Sequence, residues 1–530
     1  MPTLRTELHY GKRMVRAFEV RPANLDAMFT DAVARDSAAL ALVDRDQRIS
    51  YGELDATVDR VAGNLARHGV AKGDRVATLL GNQAAFVEIC LACARLGAIL
   101  VPINIRHRRS ENEFVLAHSG AVALVHDGAL APVLPEPSRT PALRHRFVVD
   151  GSIEGSIGYE ALHAPVAPSR RAEIHEDEPF CILYTSGTTG QPKGAILTHF
   201  SLIHTCLNYE QTMSLGPGER SALAVPASHV TGLAAIIFSM IRVGGCTVLI
   251  AAFKARDFLR LMSAERVTHT LMVPAMYNLC LLEPEFARFD LSSWRVGGYG
   301  GAPMPEATIK RLARELPGLT LYNAYGATET TSPVTIMPPG QGVRRADSVG
   351  RAVHGAEIRI VDEAGCDVAP GAPGELWIAG AMVVPGYWNN PEATAENFTD
   401  GYWHSGDLGS IDHEGFVRVF DRKKDMINRG GYKIYSIEVE NVLSHHPAIT
   451  EAAVVGRPDA VLGERVHAFV VLKHGGTNET ALKAFCAERM ADYKVPDRLT
   501  FLDQPLPRNA NGKVLKTELR RMLDAEPGAS

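Results

Sequence analysis

The stretch YTSGTTGQPKGAILTH, Tyr184 to His199, gathers hydroxyls, glycines and one lysine in a spacing that suits the binding of a polyanion. Backbone N–H groups in a glycine turn form an anion-binding nest. The hydroxyls of Thr185, Ser186, Thr188 and Thr189 add donors, and Lys193 adds a positive charge. Gly187 and Gly190 lose more conformational freedom on folding than other residues, so a bound anion is needed to account for their presence. A nucleotide-binding P-loop reads G-x-x-x-x-G-K-[ST]. Here Gly187 and Gly190 stand three apart and Gly194 follows the lysine. The phosphate-cradling logic therefore holds, while the kinase or NTPase geometry does not.

The elements that must carry this loop alternate between strand-like and helical runs for about four hundred residues, which points to layered α/β architecture. FCILYTS is a buried strand running straight into the loop. ISYGELDATVDRVAGNLARHGV reads as an amphipathic helix capped by Ser50 and ending before Gly69. SALAVP, CTVLIA, HTLMVP, WRVGGYG and LTLYNAYG are further strands, and MPEATIKRLAREL is a helix. After Gly350 the alternation and Gly/Pro turns of AEIRIVDEAGCDVAPGAPGELWIAG indicate antiparallel sheet. The last hundred or so residues read as a small α+β module. A chain of 530 residues is too long for one core. We expect a large N-terminal layered α/β domain with an antiparallel portion over residues 1–421, and a small mobile α+β domain over 422–530.

An apolar share of 46% and a charged share of 22% fit a soluble globular protein, and a net charge of −5 argues against a nucleic-acid-binding surface. Eight cysteines are too few for a disulfide scaffold, and the Cys90–Cys93 pair sits in an apolar helical run as core thiols. The first twenty residues lack a signal-peptide core, and PGAS at the end is not a peroxisomal address. The most apolar stretch is broken by Arg242, Gly244 and Gly245 before it could span a bilayer. The expected location is the cytoplasm, and a homodimer stays open.

Five more segments follow the opening loop's logic. GGYGGAPMP (Gly297 to Pro305), YNAYGATETT (Tyr322 to Thr331), YWHSGDLGSID, FDRKKDMINRGGYKIYSIEVE and LPRNANGKVLK (Leu506 to Lys516) occur at intervals along the chain. With YTSGTTGQPKG they resemble, in type and order, the adenylate-forming superfamily of acyl-CoA synthetases, peptide-synthetase adenylation domains and luciferases. The likeness covers nearly the whole chain.

The resemblance implies roles residue by residue. Thr185, Ser186, Gly187, Thr188, Thr189, Gly190 and Lys193 would grip the β- and γ-phosphates of ATP. Gly301, Ala302 and Pro303 would wall the adenine, with Asn323, Ala324, Tyr325 and Gly326 framing it and Tyr325 stacking. Thr328 would touch the α-phosphate and Glu329 would hold Mg²⁺, which needs only one or two protein oxygens beside phosphates. Asp407 and Arg422 would contact the ribose; one carboxylate can accept from two vicinal hydroxyls. Lys424 stands at the family's hinge, where relatives carry Asp or Lys. Lys513 matches the catalytic lysine, Gly430 and Gly431 a turn along the pantetheine channel, and His229 the gate of that channel. Taken singly, Glu329 would be a helix-capping acid, Asp407 a turn residue and Lys513 a solvated surface charge. The acyl pocket would be lined by Asn208, His229, Gly232, Leu233, Tyr299, Gly300, Gly301, Ala324, Thr331 and Val334.

The implied reaction joins a carboxylic acid to AMP with loss of pyrophosphate and then passes the acyl group to the thiol of coenzyme A. The carboxylate is ionised at neutral pH, so no general base is required. The small or apolar pocket, with Arg242 the one exception considered, favours a monocarboxylate: a fatty acid first, with Gly300 and Gly301 leaving room for length, and an aryl acid next. The short stretch after Lys513 leaves no room for a fused carrier domain and puts the coenzyme A ligase first; a stand-alone ligase loading a separate carrier protein is the alternative. A non-catalytic nucleotide-binding protein is the alternative from another class, and Lys513, Glu329, Asp407 and Arg422 together speak against it.

Overall fold

A computed structural model of the chain describes residues 2–167, 171–185, 192–473, 476–509 and 514–524. The chain forms two compact units. The larger comprises Met1–Ile358, Trp377–His404 and Gly415–Val417, and the smaller comprises Arg359–Leu376, Ser405–Glu414 and Arg418–Ser530. The division falls elsewhere than at residue 421, because stretches before it bond within the smaller unit. Lys423 N–H donates to Gly406 O at 2.8 Å, Gly406 N–H to Glu375 Oε1 at 3.3 Å, and Gly371 N–H to Ile411 O at 2.7 Å.

In the larger unit, one sheet has seven strands. Lys193–Thr198 pairs antiparallel with Pro179–Thr185, which adjoins the parallel set Ile99–Pro102, Arg75–Leu79, Ala123–Asp127, His145–Val149 and Ile157–Gly158. A second sheet has a parallel core in the order Leu40–Asp44, Cys246–Leu249, Arg220–Leu223, His269–Met272, Val296–Tyr299 and Thr320–Ala327. Thr320–Ala327 then turns back antiparallel through Ser332–Ile336, which pairs with Gly350–Ala352. Helix Tyr51–Arg67 begins at Ser50, whose hydroxyl accepts from Glu53 N–H while Glu53 reaches back, so the sequence-read cap is a full capping box. Helix Ala84–Leu96 is buried at every residue, and an apolar run without a polar face is how such a helix must read. Its Cys90 and Cys93 are fully buried, and burial pushes both thiols far up, so they are core groups.

The smaller unit is organised by the long hairpin Ile449–Asp459 and Gly463–Leu472. Its side chains alternate faces. Val454, Val466, Ala468 and Val470 pack on helices Ser436–Ser444 and Glu479–Ala487. Ala453, Val455 and Phe469 pack instead with Leu519 and Leu523 of helix Lys516–Asp524. Period-two alternation in a hairpin covered on both faces thus decides which helix lies on which face.

Candidate active site

In the larger unit the chemistry-bearing segments leave the C-terminal ends of parallel strands, where open α/β sheets bind ligands. Strand Pro179–Thr185 leads into residues 186–191, so the expectations for Ser186, Gly187, Thr188, Thr189 and Gly190 lie outside the described residues. Thr185 at one edge of that loop faces Lys193 at the other as an antiparallel pair. Strand Val296–Tyr299 leads to Gly300 and to Gly301, whose φ of +76° suits glycine, followed by exposed Ala302 and Pro303. Strand Thr320–Ala327 leads into the short helical turn Thr328–Thr330.

That turn carries backbone strain. Thr331 and Ser332 hold φ values of 51° and 101°, a region that side-chain-bearing residues rarely adopt. Strain of this kind persists where surrounding structure over-determines it, and it clusters at functional sites. The surroundings are visible. Thr205 Oγ1 donates to Thr331 O at 2.9 Å, Tyr209 and Ser332 join hydroxyls at 2.9 Å, and Val384 N–H donates to Glu329 O at 2.9 Å. Thr328 and Glu329 are both buried. Glu329 Oε1 accepts from the Tyr387 hydroxyl at 3.0 Å, and the face of the same ring lies 5.3 Å from Lys193 Nζ. Tyr387 thereby brings together a lysine and a carboxylate 136 positions apart in sequence, 193 against 329. A carboxylate and a hydroxyl on one turn, Glu329 and Thr328, are hard oxygen donors of the kind Mg²⁺ takes.

The acyl-side residues are deeply placed. Asn208, Leu233, Thr331 and Val334 are fully buried, and Tyr299 is nearly so, with burial raising its phenol to about 12. Asn208 Nδ2 donates to His354 O at 3.3 Å. His229 ends the loop before a stretch of wide π-type helix, Thr231–Phe238, a form frequent at functional sites. The Thr231 N–H donates to His229 Nδ1 at 3.3 Å, so the neutral ring carries its proton on Nε2. Burial brings this imidazole down to about 4.

Gly300 differs from its sequence-based role, and Gly232 has the same kind of surroundings. A Cβ at Gly300 would stand 2.3 Å from Ala324 O, and one at Gly232 would stand 2.3 Å from Pro226 O. Both are glycine because backbone approaches closely there, so the missing side chain at Gly300 admits a carbonyl oxygen and does not make room for acyl length. Arg242 is paired with Glu210 at 2.7 Å, which accounts for its charge.

In the smaller unit Arg422 Nε bonds Asp407 Oδ1 at 2.7 Å, so the two residues assigned to the ribose are brought together. Asp407 is buried and its N–H donates to Ser405 Oγ at 3.0 Å. Lys424 is exposed in a turn in which Asp425 and Met426 N–H both reach Arg422 O. Gly430 and Gly431, with φ of 60° and 91°, form the two-residue turn of the hairpin Ile427–Arg429 and Tyr432–Ile434. Positive φ at both central positions is the signature of a type I′ turn, and it explains the glycine pair. Lys513 lies outside the described residues; on either side, Arg508 pairs with Val514 and Leu515 N–H donates to Pro507 O at 2.8 Å.

The AMP-binding enzyme family matches residues 29–388, and the AMP-binding enzyme C-terminal domain matches residues 438–513. The chain belongs to the adenylate-forming superfamily of acyl-CoA ligases. Among relatives of this ligase, a long-chain-fatty-acid–CoA ligase of Mycobacterium tuberculosis is 35% identical over 91% of this chain and 94% of its own. A feruloyl-CoA synthase of Amycolatopsis is 37% identical over 89% and 94%. The o-succinylbenzoate CoA synthetase from Bacillus subtilis has been solved with its acyl-adenylate intermediate, with a TM-score of 0.84, 32% identity and coverage of 93% of this chain and 97% of that one. The same synthetase solved with ATP and a magnesium ion gives a TM-score of 0.82 at 32% identity, covering 93% and 99%. The ligase's mixed α/β fold, with a large N-terminal and a small C-terminal domain, matches these structures.

Sequence reasoning on this ligase passed over Tyr387 and Lys516. Tyr387 sits in VVPGYWNN, where a glycine ahead of two aromatics in a non-periodic stretch was the available signal. Lys516 stands three residues beyond Lys513 and was read only as part of that lysine's motif. Among the described residues no helix is long and apolar enough to cross a membrane.

Proposed function

We propose that this acid–thiol ligase activates a monocarboxylic acid with ATP, releases pyrophosphate, and transfers the acyl group from the acyl-adenylate to coenzyme A. Fatty acids are the favoured substrates and arylpropenoic acids the next. The observation that carries the reading is the buried Glu329 carboxylate joined to the Lys193 cation through Tyr387, beside a strained turn. A phosphate-gripping ammonium and a metal-holding carboxylate are the two charges that displacement at the α-phosphorus needs.

In the first half-reaction the ionised acid attacks the α-phosphorus and pyrophosphate leaves. Lys193 and Thr185 hold the departing phosphates, Thr328 donates to the α-phosphate, and Lys513 pairs the incoming carboxylate with it. Glu329 and Thr328 would hold magnesium, which supplies charge neutralisation across the phosphate oxygens. Arg422 fixes the Asp407 carboxylate, leaving the group oriented for the ribose hydroxyls. In the second half-reaction the thiol attacks the acyl carbon and AMP leaves. His229, neutral and with its proton on Nε2, serves as the gate at the acyl end and not as a general acid. A pivot at Lys424, exposed in its turn, lets Lys513 withdraw between the steps.

The acid class has two supports. Relatives at comparable identity are named for long-chain fatty acids and for ferulate. Arg242 is engaged by Glu210, which leaves the assigned acyl-side residues Asn208, Tyr299, Thr331 and Val334 as neutral walls. The test is a panel of fatty and aryl acids with pyrophosphate release measured with and without coenzyme A. It is paired with Lys513→Ala, which is expected to abolish ATP–pyrophosphate exchange and spare thioester formation from preformed acyl-adenylate. Failure to consume ATP with every acid overturns the reaction; exchange surviving in Lys513→Ala overturns that lysine's role.

A further inference from the structure

We propose that Tyr387 is a positioning residue for the first half-reaction: its hydroxyl aims the Glu329 carboxylate at magnesium and its ring seats the Lys193 ammonium at the phosphates. The proposal rests on the ATP-and-magnesium reading given above and adds to it a residue that links the two charges.

Two features of the structure carry it. The hydroxyl donates to Glu329 Oε1 at 3.0 Å, which fixes one carboxylate oxygen and sets the direction of the other's lone pairs. Partners of this kind, one shell behind a metal ligand, orient it and tune its affinity. The ring face holds Lys193 Nζ at 5.3 Å, within cation–π range, so the ammonium has a seat that does not consume any of its three N–H donors.

The backbone explains why the ring is so well placed. Tyr387 makes an isolated antiparallel bridge with Ala195, Ile196 N–H donates to Gly386 O at 3.1 Å, and Trp388 N–H donates to Gly194 O at 2.7 Å. Three residues earlier, Val384 N–H donates to Glu329 O at 2.9 Å. One short segment, residues 384–388, therefore bonds the main chain of both functional stretches as well as their side chains. Tyr387 N–H is itself held by Thr394 Oγ1 at 3.0 Å. Gly386 stands where a Cβ would meet Thr394 Cγ2 at 2.6 Å, which keeps that approach open.

The experiment measures ATP binding by titration calorimetry, without acid or coenzyme A, in the presence and absence of Mg²⁺. Wild type is compared with Tyr387→Phe, Tyr387→Leu and Glu329→Gln. Tyr387→Phe keeps the ring and the fold, and the tightening that Mg²⁺ gives is expected to fall about tenfold, the worth of one hydrogen bond to a charged group. Its Mg²⁺-free affinity stays at the wild-type level. Tyr387→Leu is expected to lose the same tightening and in addition to bind Mg²⁺-free ATP about threefold more weakly through loss of the cation's seat. Wild-type Mg²⁺ dependence in Tyr387→Phe, with that dependence lost in Glu329→Gln, overturns the proposal and leaves the metal reading intact. Unchanged Mg²⁺ dependence in Glu329→Gln overturns the metal reading itself.

Discussion

Around Glu329 the path of the turn is set by main-chain shape. A Cβ on Gly326 would fall 1.6 Å from Ser332 O, Gly300 lies against Ala324 O, and Thr331 and Ser332 take left-handed φ values that their neighbours enforce. Around Asp421 in the smaller unit the positioning is done by charge. Asp421 is buried and accepts from Arg422 N–H at 2.8 Å and from Ser436 N–H. Lys516 Nζ bonds Glu440 Oε1 at 2.7 Å and also reaches Ser436 Oγ, and its charge acts on Asp421 as well. Glu440 in turn accepts from Val454 N–H at 2.8 Å. A turn shaped by backbone fails when a Cβ is added. A site shaped by an ion network fails when its cation is removed, and it does so in a way that depends on pH.

The largest effect is expected at Gly326. Gly326→Ala puts a methyl into a carbonyl that belongs to the strained turn, so either the hairpin shifts or the substitution costs about 3 kcal/mol. Both outcomes disorder Glu329 and should remove ATP–pyrophosphate exchange. Gly431→Ala is the control. Its Cβ direction is open and only its φ of 91° opposes the change, so about 1–2 kcal/mol is expected. Chemical denaturation of the two variants decides the matter. If Gly326→Ala proves no more damaging than Gly431→Ala, backbone approach is not what shapes the larger unit's site.

Next in size is Lys516→Met. Burial first, and against it the attraction of Lys516, set both carboxyl groups above their ordinary values. A carboxyl raised on folding binds protons more readily in the native state than in the unfolded chain, so its contribution to stability falls as pH rises. Removing the ammonium raises both groups further. The variant is therefore expected to lose about 2 kcal/mol at pH 8 and clearly less at pH 5, where the carboxyls can take up protons instead. Equal losses at the two pH values would show that Lys516 acts through packing of its stem and not as the counter-ion of Asp421 and Glu440.

The same contrast explains what could be read in the sequence. Backbone-shaped sites write themselves as glycine, threonine and serine in fixed order. YNAYGATETT and YTSGTTGQPKG therefore pointed to the larger unit's site, and the capped helix after Ser50 and the strands preceding each loop were legible from local pattern. Side-chain constellations assembled from distant residues leave no such trace. Tyr387 is one aromatic in an irregular stretch, and only the bridge to Ala195 shows what it faces. Lys516 belongs to the last helix and meets Glu440, which stands 76 positions earlier, 440 against 516. Gly300 was legible as a special glycine, but whether its missing side chain makes room or admits a carbonyl depends on the neighbouring strand.

The smallest effect sharpens the comparison from the other side, because acid should weaken the larger unit through groups of opposite sign. His204 is fully buried between Phe18, 5.3 Å away, and Phe200, 4.4 Å away, and neither ring nitrogen has a hydrogen-bond partner among the described residues. Burial first, then the Arg21 charge, holds this imidazole down to about 3. The unfolded chain takes up a proton there near pH 6.5 while the folded protein refuses it. The stability this site contributes is thus complete above 6.5 and lost as pH falls toward 3. His199, His229 and His269 are depressed in the same direction, to about 3, 4 and 3, so they share the acid limb. His204→Leu removes one share of it and also relieves two unpaired ring nitrogens. At pH 7 it should be neutral or stabilising by up to about 1 kcal/mol, and the urea midpoint should fall less between pH 7 and pH 5 than in wild type. A midpoint that falls as steeply as before would mean that His204 is solvated in the native state, and the acid response of the larger unit would then belong to its other groups, His199, His229 and His269 among them.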